Sequence, residues 1–224
     1  MGELGLVKQL IIPLGNYTLV FNLDTMIMTW MIIIVLLVFG YFAAKNCKMV
    51  PNRVQAVGEL LVGAIFGLAY DTLDPKLAKK YAPLVTTLFM FLVLCNWWGI
   101  IPGFHEPTKD LNLPLALGLM SFVISHAVGI KSKGIVKYIK GYMDPIFLMA
   151  PINVIGELSK VVSMSFRIFG NLMGGSIIIM VVSYLCLSLV LPPLLNGFFG
   201  LFVGTIQAFV FTMLTIVYIS VQVD

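Results

Sequence analysis

The sequence predicts an all-α membrane protein. It has five membrane-crossing helices plus an amphipathic interfacial helix, and the last two spans form a long tilted hairpin. Three observations support this fold class: 60% of the 224 residues are hydrophobic, only 11% are charged, and the mean hydropathy is +1.03. Soluble domains carry about 25% charged residues. A chain of this length has room for several spans but for no sizeable domain outside the membrane.

The first three spans and the interfacial helices are expected within residues 24–151, after an external N-terminal segment at 1–23. Apolar runs at 25–44, 81–101 and 113–130 each approach the length of about 20 residues that crosses a membrane. Residues 53–73 are interrupted by glycines and acidic residues, which indicates an amphipathic helix on the membrane surface. A short interfacial segment is expected at 142–151, because Pro145 and Pro151 break the helical pattern.

The tilted hairpin is expected at residues 152–224. One apolar stretch covers 152–191 and the next covers 194–223. A single helix of about forty residues is twice as long as a perpendicular crossing needs, so we expect strong tilt or lateral travel within the membrane. Pro192 and Pro193 predict a tight reversal between the two helices.

The positions of lysine and arginine predict the orientation. Ten of the fourteen basic residues lie at 45–53, 76–80 and 131–140. The positive-inside rule then places these loops and Asp224 in the cytoplasm and the N-terminus outside. The net charge of +4 therefore marks cytoplasmic loops and does not indicate nucleic-acid binding. We expect a multi-pass protein of the bacterial inner (plasma) membrane.

The sequence shows no pattern typical of a catalytic, cofactor or metal site. Cys47, Cys95 and Cys186 lack the spacing of paired or metal-ligating cysteines. No glycine-rich phosphate-binding loop is present, so no nucleotide site is expected. We therefore expect a non-catalytic chain that needs no cofactor.

Arg167 is the most informative residue. It lies inside an apolar segment, with Lys160 as the nearest charge before it and no charged residue after it until Asp224. A guanidinium remains protonated at physiological pH, and at the centre of a bilayer it costs about 2.5 kcal/mol or more. Arg167 is therefore expected on an ion path, facing water or a transient anionic partner. The alternative is a helix-packing stripe from which Arg167 reaches the membrane surface.

Two amides near Arg167 are further candidates for the path. Asn171 follows Arg167 by four residues and so shares its helix face. Gln207 lies on one face of the last helix with two glycines, and its amide can donate and accept hydrogen bonds. Gln207 either faces Arg167 across the hairpin or makes an interhelical hydrogen bond without a transport role.

Three ionisable residues have two possible roles each. Glu157 and Lys160 are spaced i,i+3, so they either form a local ion pair or line the inner part of the path. His126, in the third span, either lines the path or is a packing histidine with satisfied hydrogen bonds. His105, in the outer loop, is expected to be solvated.

Three blocks of the sequence resemble subunit a of F-type ATP synthases. Residues 167–171, preceded by Lys160 and Ser163, are similar to the arginine-containing signature of that family. Residues 207–218 resemble its C-terminal signature, and residues 96–103 resemble a third block. The resemblance covers the chain from about residue 20 onward.

The resemblance implies the stator ion-channel subunit of a rotary ATP synthase. In that family, two half-channels pass H⁺ or Na⁺ to and from the carboxylates of a c-subunit ring. Arg167 would pair with an emptied ring carboxylate and block a direct leak between the half-channels. The implied partners are the c ring, the b-subunit peripheral stalk, the rest of the F1F0 complex and the lipid bilayer. From the residues alone, an independent secondary transporter or channel and a structural membrane assembly subunit stay open.

One departure from the family pattern concerns the coupling ion. Well-known proton-type members have a carboxylate nine residues after the arginine, often complemented by an ionisable residue on the last helix. Ser176 and Gly200 occupy these positions here. A hydroxyl and a small residue leave room for a partly hydrated ion, which favours Na⁺ over H⁺ by a small margin and makes Ser176 a candidate for the path.

Overall fold

The computed structural model describes residues 9–14, 17–45, 53–101, 103–143, 149–185 and 191–223. Most of these residues are α-helical: α1 Leu23–Ala44, α2 Arg53–Thr72, α3 Pro75–Trp97, α4 Asn112–Lys133, α5 Ile135–Met143, α6 Met149–Leu185, α7 Leu191–Gly197 and α8 Gly204–Val223. Strands β1 (Gln9–Leu14) and β2 (Tyr17–Asn22) pair antiparallel before α1. Two 3₁₀ helices, Trp98–Ile100 and Pro107–Lys109, lie between α3 and α4, and a π-helix, Phe198–Val203, joins α7 to α8.

The predicted number of spans is confirmed for the described part of the chain. Five helical stretches are long and apolar enough to cross a membrane: Leu23–Ala44, Pro75–Ile100, Asn112–Lys133, Ala150–Leu185 and Leu191–Val223. The helix expected at 53–73 is present as α2. The β-hairpin was not predicted, because the sequence analysis assigned no secondary structure to the N-terminal segment. The two strands have only six residues each, and so short a hairpin is hard to recognise from the sequence.

Parts of the prediction fall outside the described residues. These parts are Cys47, Cys186 and Pro145. Pro192 and Pro193 lie in the first turn of α7, where proline is tolerated because the first helical N–H groups have no partner within the helix. Cys95 is buried and unpaired, as expected for a small core residue.

Helix α8 lies between α3 and α4, and α2 covers the far side of α3. Leu92 of α3 and Phe211 and Ile216 of α8 are fully buried in this core. Helix α6 packs mainly against α4, where a Cβ at Gly118 would lie 2.5 Å from Ser165 Oγ. The glycine therefore brings α4 and α6 into direct contact, and the opposite side of α6 faces away from the other helices.

The two ends of the helix bundle differ in charge. We call the end formed by residues 98–111 and the start of α4 the loop end. We call the opposite end the lysine end, because it carries Lys76, Lys79, Lys80, Lys131, Lys133, Lys137 and Lys140.

Candidate ion path

Arg167 is the central residue of the 37-residue helix α6. Its side chain is exposed, and it makes no hydrogen bond or ion pair with any residue that the structure describes. Gly170 and Asn171 are exposed beside it. A Cβ at Gly170 or Gly174 would meet no atom within 4 Å. The face around Arg167, Gly170 and Gly174 is therefore open among the described residues.

Gln207 contacts Asn171 and not Arg167. Asn171 Nδ2 donates a hydrogen bond to Gln207 Oε1 at 3.0 Å, so α6 and α8 are joined one turn beyond Arg167. Gln207 is only 4% exposed, yet its Nε2 has no hydrogen-bond partner among the described residues. A buried amide N–H without a partner costs about 1–3 kcal/mol, so this donor is a ready contact for water in the path.

A cavity of about 480 Å³ opens at the lysine end. Its lining includes Tyr142, Glu157, Lys160 and Gln222. Lys160 Nζ lies 2.6 Å from Glu157 Oε1, so the two residues form the predicted ion pair and also line the cavity. Lys160 precedes Arg167 by seven residues, which is two helical turns or about 10 Å. The cavity therefore leads from the lysine end toward Arg167.

His126 lies behind the wall of this cavity. Its Nδ1 is 2.9 Å from the Phe122 carbonyl oxygen, which can only accept, so Nδ1 carries a proton. Its Nε2 lies 3.2 Å from the hydroxyl of Tyr142, a lining residue. Both nitrogens thus have partners, which agrees with the packing interpretation, and one of these partners connects His126 to the cavity.

Ser176 and Gly200 make different local contacts. Ser176 Oγ donates to the Leu172 carbonyl of its own helix at 2.9 Å. Gly200 is buried against the end of α3, where a Cβ would lie 3.0 Å from Ile100 Cγ1. The residues next to these two positions pack together, since a Cβ at Gly175 would lie 2.8 Å from Phe199 Cγ.

A buried polar cluster at the loop end was not among the sequence candidates. Thr108 Oγ1 donates to Asn96 Oδ1 at 2.9 Å, and Asn96 Nδ2 donates to the Gly204 carbonyl at 2.8 Å. Both side chains are 0% exposed. Glu106 is 5% exposed and lies beside them. Two sequence signals could have indicated the cluster: Asn96 begins one of the blocks that resemble the family, and Glu106 and Lys109 have ion-pair spacing.

Comparisons with known proteins agree with the sequence blocks. The family model described as ATP synthase A chain matches residues 26–220. ATP synthase subunit a of Geotalea daltonii is 38% identical over 217 residues, which cover 95% of this chain and 92% of the relative. The subunit a of Campylobacter jejuni is 38% identical over 195 residues, 85% of either chain. That of Syntrophobacter fumaroxidans is 37% identical over 200 residues, 88% of this chain and 82% of the relative. Since the family model and these relatives extend over most of the sequence, the chain belongs to the family of ATP synthase subunit a.

Proposed function

We propose that this chain is the non-catalytic stator subunit that passes H⁺ or Na⁺ between the two sides of the membrane and the carboxylates of a c-subunit ring. One half-channel would reach the ring from each side. Ion flow through the two half-channels would thereby be coupled to ATP synthesis. An independent transporter or a purely structural subunit is disfavoured by membership of the family.

The observation that carries this proposal is the exposed guanidinium at the centre of α6, which has no ion-pair partner among the described residues. A permanent charge facing lipid costs about 2.5 kcal/mol or more. The cost is removed if a carboxylate of another subunit pairs with Arg167. The open space at Gly170 and Gly174 allows a neighbouring helix to approach closely on this face.

The inner half-channel would include the cavity lined by Glu157 and Lys160. With the lysine end in the cytoplasm, as the positive-inside rule requires, cytoplasmic water would enter this cavity and approach Arg167. The outer half-channel would run from the loop end along α8 to Gln207 and Asn171. Arg167 would separate the two halves, because it repels cations and cannot lose its own proton.

The partners follow from the same arrangement. The ring would cover the exposed face of α6 around Arg167, and the b-subunit stalk would hold the chain against rotation within the F1F0 complex. The location would be a bacterial plasma membrane, with the N-terminus outside.

Arg167→Ala tests the function in the assembled complex. We expect ATP synthesis in membrane vesicles to be abolished, while immunoblots show unchanged amounts of this chain and the ring. Tyr184→Ala is the control, because Tyr184 is 88% exposed near the far end of the same helix. Normal synthesis by an assembled Arg167→Ala complex would contradict the proposal.

Disulfide formation tests the position of the ring. A cysteine at Asn171, which is exposed, should bridge to a cysteine on a ring helix, since bridging requires Cα atoms closer than about 7 Å. A cysteine at Ile168 is the matched control, because Ile168 is 0% exposed and faces the core. Bridging from Ile168 but not from Asn171 would place the ring on a different face.

A further inference from the structure

Glu106 is a buried carboxylate in the short segment between α3 and α4. The exposed fraction of its side chain is 3%, and Lys109 Nζ lies 3.3 Å from its Oε2 in an ion pair. That oxygen nevertheless has no hydrogen-bond partner among the described residues. Buried carboxylates are rare unless they are paired, and Lys109 is the charged partner that accompanies this one into the interior.

The carboxyl group of Glu106 lies directly over Gly99, in the 3₁₀ helix at the end of α3. A Cβ at Gly99 would lie 2.3 Å from both Glu106 Cγ and Glu106 Oε1. The absence of a side chain at Gly99 therefore creates the space that the carboxyl group fills. The site is therefore formed by the 3₁₀ helix that contains Gly99 and by the segment that contains Glu106.

Polar groups continue from this site toward Arg167. Thr108, in the same 3₁₀ helix as Lys109, donates to Asn96, and Asn96 donates to the Gly204 carbonyl on α8. Gln207 follows Gly204 by three residues and so lies on the same face of α8. Its Nε2 has no hydrogen-bond partner among the described residues, and its Oε1 accepts from Asn171, one turn from Arg167.

We propose that Glu106 is the proton-accepting group at the outer opening of this path. The inference rests on the proposed function. In each cycle the Glu106 carboxylate takes a proton from outside water and becomes a neutral carboxylic acid. It then releases the same proton toward Gln207, on the side of Thr108 and Asn96, and returns to the carboxylate. The proton continues past Gln207 to the ring, so no co-reactant is required and no charge accumulates.

The surroundings of Glu106 allow both protonation states. Burial raises the pKa of the carboxyl group above its usual range, and the positive charges of Lys109 and His105 act in the opposite direction. The same lysine disfavours a sodium site, because its ammonium group already contacts the oxygen that would bind the ion. A proton only neutralises the carboxylate and needs no set of oxygen ligands.

The experiment compares Glu106→Gln, Glu106→Asp and the double variant Glu106→Ala with Gly99→Asp, all in the assembled complex. Passive proton flux is measured in vesicles stripped of F1, with subunit content checked by blot. We expect Glu106→Gln to lower the flux by about a hundredfold, the contribution of one positioned proton-transfer group. Glu106→Asp should retain more flux. The double variant should restore it, because the aspartate introduced at position 99 places a carboxylate in the same space.

Arg167→Ala separates failure of this inference from failure of the proposed function. If Glu106→Gln conducts protons normally while Arg167→Ala abolishes ATP synthesis, the role of Glu106 is wrong and the function stands. If the double variant assembles but does not restore flux, Glu106 has only a structural role. If the wild-type membranes pass radioactive sodium and no protons, the proton assignment is overturned.

Discussion

The two ends of the proposed path are built differently. At the lysine end, Glu157 and Lys160 border a cavity of about 480 Å³, and their side chains are 17% and 36% exposed. At the loop end, Asn96 and Thr108 are fully buried, and Asn96 packs directly against the backbone of Gly204. One end offers space for water, whereas the other offers a fixed sequence of hydrogen-bonding groups.

This difference implies different tolerances to change. Ions in a water-filled cavity remain hydrated, so no single side chain there controls their passage. In a packed cluster each polar group has a defined partner, and the loss of one leaves another unsatisfied. Substitutions at the loop end should therefore reduce transport more than chemically similar substitutions at the lysine end.

The largest effect is expected from Gly204→Ala compared with Gly156→Ala. A Cβ at Gly204 would lie 2.7 Å from Asn96 Cβ, whereas a Cβ at Gly156, which lines the cavity, would meet nothing within 4 Å. Overpacking at Gly204 should cost about 1–3 kcal/mol and displace Asn96. Thermal unfolding of the complex and proton flux in stripped vesicles measure both consequences. If both alanine variants kept normal stability and proton flux, the proposed difference between the loop end and the lysine end would be wrong.

An intermediate effect is expected from Gln207→Leu and Asn171→Leu. Each removes one side of the same 3.0 Å hydrogen bond, and such bonds in membranes average about 0.6 kcal/mol. Each variant should lower ATP synthesis far less than Arg167→Ala, and the double variant should be little worse than either single one. A Gln207→Leu complex as inactive as Arg167→Ala would show that the amide is essential in its own right.

The smallest effect is expected from Glu157→Gln at the lysine end. A partly exposed i,i+3 ion pair contributes only about 0.3–0.5 kcal/mol. Water in the cavity would solvate the ammonium group of Lys160 once its partner is neutral. ATP synthesis should change little, in contrast to Glu106→Gln, which makes the same chemical change in the packed cluster. A severe loss of synthesis in Glu157→Gln would mean that the cavity does not behave as open water.

The sequence was sufficient for the spans, and it singled out Arg167 as a candidate whose role stays a prediction. Apolar runs have lengths fixed by the membrane, and a lone arginine within one is conspicuous without any knowledge of its neighbours. The spacing rules also gave the Glu157–Lys160 pair. These features depend on residues that are close in the sequence.

The loop end could not be derived in the same way. Glu106 follows His105 in a short segment between two spans, where a charged residue is usually solvated. Its burial depends on contacts with Gly99, and the position of Gly204 depends on Asn96, more than a hundred residues earlier. The pairing of Gln207 with Asn171 instead of Arg167 likewise depends on the register between two helices, which helical periodicity alone does not fix.

The reach of the lysine-end cavity has a consequence for the membrane voltage. In the proposed orientation, water in this cavity would be connected to the cytoplasm and would have nearly the cytoplasmic electrical potential. It would extend to Lys160, about 10 Å along the helix from Arg167. Most of the voltage would then fall across the packed half of the path. At 100 mV this is about 2.3 kcal/mol for each elementary charge, and it would act mainly on protons moving from Glu106 to the ring. The membrane potential would therefore load the ring, while unloading into the cavity would be governed by cytoplasmic pH.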